Sequence, residues 1–189
     1  MNNTKFIGEF KIWWTDNDSK HNFHFICCGY NPKKKKNIKR DTFDLSDNIS
    51  NKKILAKIIY KASSKYIGKK FKAELFDSKS SWIIKDLKEK SEINDIKKYL
   101  ENSLGKKYRG IFTFKNLFLF LILFLKYPSK YNYQPIIISS LESETIIFIT
   151  DHETVFVASK DEKLVNKIGK EIDMSGANVL FSKDLLKSV

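Results

Sequence analysis

Apolar residues recur along this chain in two different periods. Phe6, Phe10, Ile12 and Trp14 fall on alternate positions, a polar TDNDSK stretch follows at 15–20, and Phe23, Phe25 and Cys27 resume the alternation. A period of two puts such residues on one face of a strand, so the segment predicts a β-hairpin. Trp13, His24, Ile26 and Cys28 fall on the opposite face, which is also partly apolar and calls for a covering helix. The period then lengthens. Ile54, Leu55, Ile58, Ile59, Ala62 and Tyr66 recur at helical spacing, behind Ser50 or Asn51 as cap and ahead of Gly68 as a left-handed stop.

The same logic continues along the chain. A short strand is expected at 42–45 and another at about 70–76, where Phe71, Ala73 and Leu75 share a side. Trp82, Ile83, Ile84 and Leu87 make an apolar patch of no defined period. Ile93, Ile96, Leu100 and Leu104 mark a helix between Ser91 and Gly105. Nearer the C-terminus, 136–140, 145–150 and 155–158 read as strands. Ser159 with Glu162 reads as a capping box, Leu164, Val165, Ile168 and Ile172 as a helix, and 177–182 as a last strand. Both ends thus show strand, strand, helix, strand, without aligned residues that would make a repeat.

Leu117–Leu125 is apolar at every position. A membrane-spanning helix needs about 20 such residues, and Lys115 and Lys126 bound this run well short of that. A β-strand wants more β-branched side chains than Ile122 alone. An interfacial helix keeps a polar face, and this run has none. It is therefore read as a buried helix at about 113–127, ended by Pro128. The expected fold is α+β, a mixed or antiparallel sheet built from hairpins and packed on about four helices. At 189 residues the chain is read as a single domain, 1–189, or as subdomains at 1–110 and 130–189 around the central helix.

Composition shifts attention to the surface. The formal charge is +13, from 35 basic residues against 22 acidic ones, and it favours an anionic partner. Arg40 and Arg109 are the only arginines. A lysine skew with many Asn, Ile and Phe residues is also what an AT-rich coding sequence yields. Lysine is a point charge and a poor bidentate reader, so any nucleic acid should be held by its backbone. Lys33, Lys34, Lys35, Lys36, Lys39 and Arg40 form the densest basic cluster, with Trp13, Trp14 and Tyr30 near enough in sequence to offer stacking.

Candidate chemistry is thin. His21, His24, Cys27 and Cys28 have metal-ligand types, but a strand sends His24 and Cys28 to one face and His21 and Cys27 to the other, so four-fold zinc coordination fails. Asp16 and Asp18 begin like a calcium loop, and Lys20 then occupies a ligand position. No glycine-rich phosphate loop occurs, and no cofactor is expected. Asp151, His152 and Glu153, with Ser139, Ser140, Glu142 and Glu144 upstream, hold an acid, a base and a nucleophile, which a polar turn also requires. The adjacent cysteines give no disulfide framework and the N-terminus no signal-peptide pattern, so a cytoplasmic location is expected. The expected function is non-catalytic: a binding protein whose basic surface engages an acidic protein, as a small inhibitor or immunity-type factor would, or nucleic-acid backbone. A hydrolase or nuclease using Asp151, His152 and Glu153 is the alternative.

Overall fold

A computed structural model describes residue 11 and residues 23–30, 49–77, 112–114, 117–118, 120–121, 135–149 and 155–181. In chain order these form β1 (His24–Gly29), α1 (Ile49–Ile67), β2 (Phe71–Leu75), β3 (Phe112–Phe114), β4 (Ile136–Ser140), β5 (Thr145–Ile149), β6 (Val155–Ser159), α2 (Glu162–Met174) and β7 (Asn178–Phe181). The strands make one seven-stranded sheet in the order β3-β2-β4-β5-β6-β1-β7. Every neighbouring pair is antiparallel.

The middle of the sheet is a meander, β4 to β5 to β6, held in register by Ile138 opposite Ile147 and Phe148 opposite Phe156. Strand β1 lies between β6 and β7, with Ile26 opposite both Val157 and Phe181. Segments distant in sequence therefore share one sheet. This arrangement overturns the predicted N-terminal hairpin, because β1 has its edges paired with β6 and β7 and Lys11 is helical.

Alternation sorts the strands into two faces. Ile26, Cys28, Phe71, Ala73, Leu75, Ile136, Ile138, Ile147, Ile149, Val155, Val157 and Val179 share one core with α1 and α2. The other face carries Ile137, Ile146, Phe148 and Ala158, with Phe23, Phe25, Phe76 and Phe156 against them. Phe25 meets Phe156 at 5.9 Å between ring centres, and edge-on contacts of 6.4 and 6.1 Å continue through Phe148 to Phe76. Each fully buried side chain of this size contributes about 1.5–3 kcal/mol, so both faces stabilise the fold.

Helix α1 buries Leu55, Ile59 and Ala62 of its expected stripe, together with Ala56, but leaves Ile54 exposed, and it begins at Ile49, so Ser50 and Asn51, expected as its cap, lie inside its first turn. Helix α2 buries Val165, Ile168, Gly169 and Ile172. A Cβ at Gly169 would stand 2.7 Å from the Phe181 ring and 3.2 Å from Ile26 Cγ2, so glycine is what lets α2 approach the sheet this closely. The N-cap of α2 is Asp161, whose carboxylate accepts from the Leu164 N–H at 3.2 Å, and not Ser159. Ser159 Oγ instead accepts from the Asp161 N–H and shapes the turn before the helix.

Two further corrections concern the helices. About four were expected, and the described residues contain two complete ones, together with helical residues at 117, 118, 120 and 121. Leu117, Phe120 and Leu121 are buried in the main core, as a central helix requires. That helix does not begin at 113, because Phe112–Phe114 pairs with β2 as strand β3, a Phe-Thr-Phe segment of high β-propensity. The strand expected at 42–45, the helix from Ser91 to Gly105 and the patch at 82–87 lie outside the described residues.

Gly68 ends α1 at φ +81°, and the space of its missing Cβ is filled by the Glu142 side chain. Gly68→Ala should therefore lower stability by about 1–2 kcal/mol through the left-handed backbone alone, with the displaced Glu142 adding to it. Urea denaturation of the two proteins checks this, and an unchanged midpoint contradicts it.

Candidate binding surface

Several polar groups near the sheet join neighbouring elements. Ser140 Oγ donates to the Ile67 carbonyl and accepts from the Glu142 and Ser143 N–H groups, each at 3.0 Å. Glu142 accepts from the Lys69 N–H at 3.0 Å, and the Leu141 N–H donates to the Lys70 carbonyl at 2.9 Å. The β4–β5 turn thus clasps the end of α1. Ser139 points to the other sheet face and is buried there, its hydroxyl without a hydrogen-bond partner. Ser139 and Ser140 therefore do not converge. Asp151, His152 and Glu153 lie outside the described residues, as do His21, Asp16, Asp18, Trp13, Trp14, Lys33, Lys34, Lys35, Lys36, Lys39 and Arg40.

His24 and Cys28 stand on one strand four positions apart, about 13 Å at ~3.3 Å per residue, while ligands of one zinc ion must converge within about 2.0–2.3 Å of it. No group of three or more His, Cys, Asp or Glu able to hold a metal occurs among the described residues. Both thiols are buried. Burial pushes the Cys27 thiol up to about 12, and burial followed by the charge of Cys27 raises Cys28 well above its ordinary value. Tyr30 is half-buried and packs against the main core.

Among the described residues, exposed lysines line the outer side of the two helices. Lys53, Lys57, Lys61 and Lys65 are exposed on α1, and Lys163, Lys167 and Lys170 on α2. Lys69, Lys70 and Lys160 extend this set at the helix ends. The exposed acids among the described residues are Asp77, Glu142, Asp161 and Asp173. Helix α1 has no acidic residue in its 19 positions. Its lysines four apart repel one another, at a cost of about 0.2–0.5 kcal/mol per pair.

One acid sits where the two helices meet. Glu171 of α2 accepts from the Tyr66 hydroxyl of α1 and pairs with Lys65 at 3.1 Å. Lys167 Nζ lies 4.7 Å from the centre of the Tyr66 ring, a cation–π contact. The Tyr66 hydrogen bond, then that of Lys65, holds the Glu171 carboxyl below its usual range, and the Lys65 and Lys167 charges reinforce this against partial desolvation. The same bond is the main cause that raises the Tyr66 phenol. Sequence reasoning missed this junction, whose members are 105 residues apart. It also missed the α1 row, although lysines at steps of four with no acid between them are visible in the sequence.

Comparison with known protein families, with curated proteins and with solved structures finds no match to the chain. No helix among the described residues is long and apolar enough to cross a membrane.

Two outcomes follow from the charges and the buried thiols. A folded-state carboxyl pKa below the unfolded value of about 4.3 stabilises at higher pH, and that contribution is lost as pH falls through the lowered value. A phenol raised above about 10 does the reverse at the alkaline end. Tyr66→Phe should weaken both limbs of a plot of urea midpoint against pH, and superimposable profiles contradict the junction. At about pH 8, Cys27 and Cys28 should react with a disulfide reagent only after denaturation; rapid native labelling contradicts their burial.

Proposed function

We propose that the protein is a non-catalytic binding factor whose basic surface engages an acidic macromolecule. The observation that carries this reading is the outer side of α1, where Lys53, Lys57, Lys61 and Lys65 are exposed on a helix without an acidic residue, continued by Lys163, Lys167 and Lys170 on α2, where acids are interspersed. Such a surface raises the local concentration of a polyanion and speeds encounter, and its attraction is screened by salt. The basic cluster at Lys33–Lys36, Lys39 and Arg40 belongs to the same reading as a further contact region, with Tyr30 and Trp13 as stacking groups. An inhibitor or immunity-type role, acting stoichiometrically on an acidic protein, is one form of it.

What supports a binder is the use of the described polar groups. Ser140 and Glu142 tie α1 to the β4–β5 turn, and Tyr66 and Glu171 tie α1 to α2. Lys53, Lys57 and Lys61 on the exposed side of α1 have none of these duties, while Lys65 and Lys167 also take part in the Tyr66–Glu171 junction. The test is association with two polyanions, a DNA duplex and polyglutamate, measured by fluorescence anisotropy across a salt series. Binding to at least one at low salt is expected, weakening as salt rises, and lost in a variant carrying Lys57→Glu, Lys61→Glu and Lys163→Glu. Absence of binding to both at low salt overturns the proposal.

A further inference from the structure

We propose that the exposed side of α1 is a rail for the phosphate backbone of duplex DNA, an inference that rests on the polyanion-binding reading and adds its partner and contact residues. Lys53, Lys57, Lys61 and Lys65 follow one another at steps of four along the exposed side of a 19-residue helix. Each step rises ~6 Å, so the row covers about 18 Å of helix axis. Over ~18 Å a DNA duplex presents about five phosphates on each strand. Four ammonium groups on flexible stems thus face a charge array of matching length. Lys53, Lys57 and Lys61 make no ion pair with any described residue, and Lys65 shares Glu171.

The chemistry of the face selects among acidic partners. Protein interfaces are depleted in lysine at their centre and depend on aromatic, Met and Arg anchors. This face has no Arg or Met, and its exposed large side chains are Ile54 and Tyr60, 39% and 37% accessible. The Tyr60 ring is already set against Phe118 at 5.4 Å, which also removes it as a platform for unstacked bases of a single strand. The major groove of A-form RNA is deep and narrow, whereas that of B-form DNA admits an α-helix between its backbones. Lysine holds phosphate as a point charge, so binding is indifferent to sequence.

The experiment compares the full chain with a Lys53→Gln, Lys57→Gln, Lys61→Gln variant. Glutamine has nearly the helix propensity of lysine and these positions are exposed, so the variant should fold, as circular dichroism and thermal melting will verify. The probe is a labelled mixed-sequence DNA duplex, with its single strand, an RNA duplex of the same sequence and polyglutamate as comparison arms. Each phosphate contact contributes about 0.9 to the slope of log affinity against log salt, so the variant's slope should be shallower by about 2–3 and its low-salt affinity at least about tenfold lower. Wild-type binding should be tightest for the DNA duplex and equal among sequences. An unchanged slope in a variant of a protein that binds DNA overturns the rail and leaves polyanion binding standing. Tighter binding to polyglutamate, to the single strand or to RNA overturns duplex DNA as the partner. A wild type that binds none of the probes overturns this inference and the reading beneath it together.

Discussion

A sheet that is apolar on both faces has to be covered twice, and the organisation of this protein follows from that demand. Strand β5 shows it in four consecutive residues. Ile147 and Ile149 pack into the core shared with the helices, Ile146 and Phe148 into the opposite cluster, and none is more than 1% exposed. With each side chain contributing about 1.5–3 kcal/mol, neither face can be opened without a large fraction of the net stability being lost. Helices α1 and α2 cover one face, and covering it makes them two-sided. Their inner stripes must be apolar, and their outer sides become the surface on which charge can accumulate.

The same demand bears on the polar side chains that border the core. Burying a polar group is favourable only with a partner, and where partners are found here they are the ends of neighbouring elements, whereas the buried Ser139 and Thr145 hydroxyls have none among the described residues. Ser140 satisfies the end of α1 and two turn amides, Asp161 the start of α2, and Glu171 the contact between the helices. Gly68 and Gly169 serve the same assembly by absence, one admitting Glu142 and the other the Phe181 ring. Among the described residues, these polar side chains fasten the helices to the sheet and to each other.

Legibility in the sequence tracked how local each feature is. The strands β4, β5 and β6 and helix α2 appear almost at their expected bounds, because alternation or helical spacing is bounded there by polar turns. The C-terminal stop at Gly68 was equally local. The placement of β1 between β6 and β7 was not, since nothing in HFICCG specifies partners more than a hundred residues away. A polar turn at 15–20 made the hairpin attractive, and the non-local pairing prevailed. Phe112–Phe114 was absorbed into a helix because the apolar run behind it dominated the window. On the surface, the density of Lys33–Lys36 drew attention away from the sparser but periodic lysines of α1.

Compositional drift toward lysine would account for how many there are and not for how they are arranged. Drift in an AT-rich coding sequence enriches exposed positions in lysine wherever they fall, and it tolerates acids beside them. Helix α2 has that mixed pattern, with Glu162, Glu171 and Asp173 among Lys163, Lys167 and Lys170. Helix α1, in a chain of 22 acidic residues, has none. A single Glu four positions ahead of one of its exposed lysines would convert a repulsion of about 0.2–0.5 kcal/mol into an attraction of similar size. Helix stability would favour acids on α1, and their absence leaves a row of positive charge that no carboxylate of its own helix offsets, the property on which the proposed polyanion contact rests.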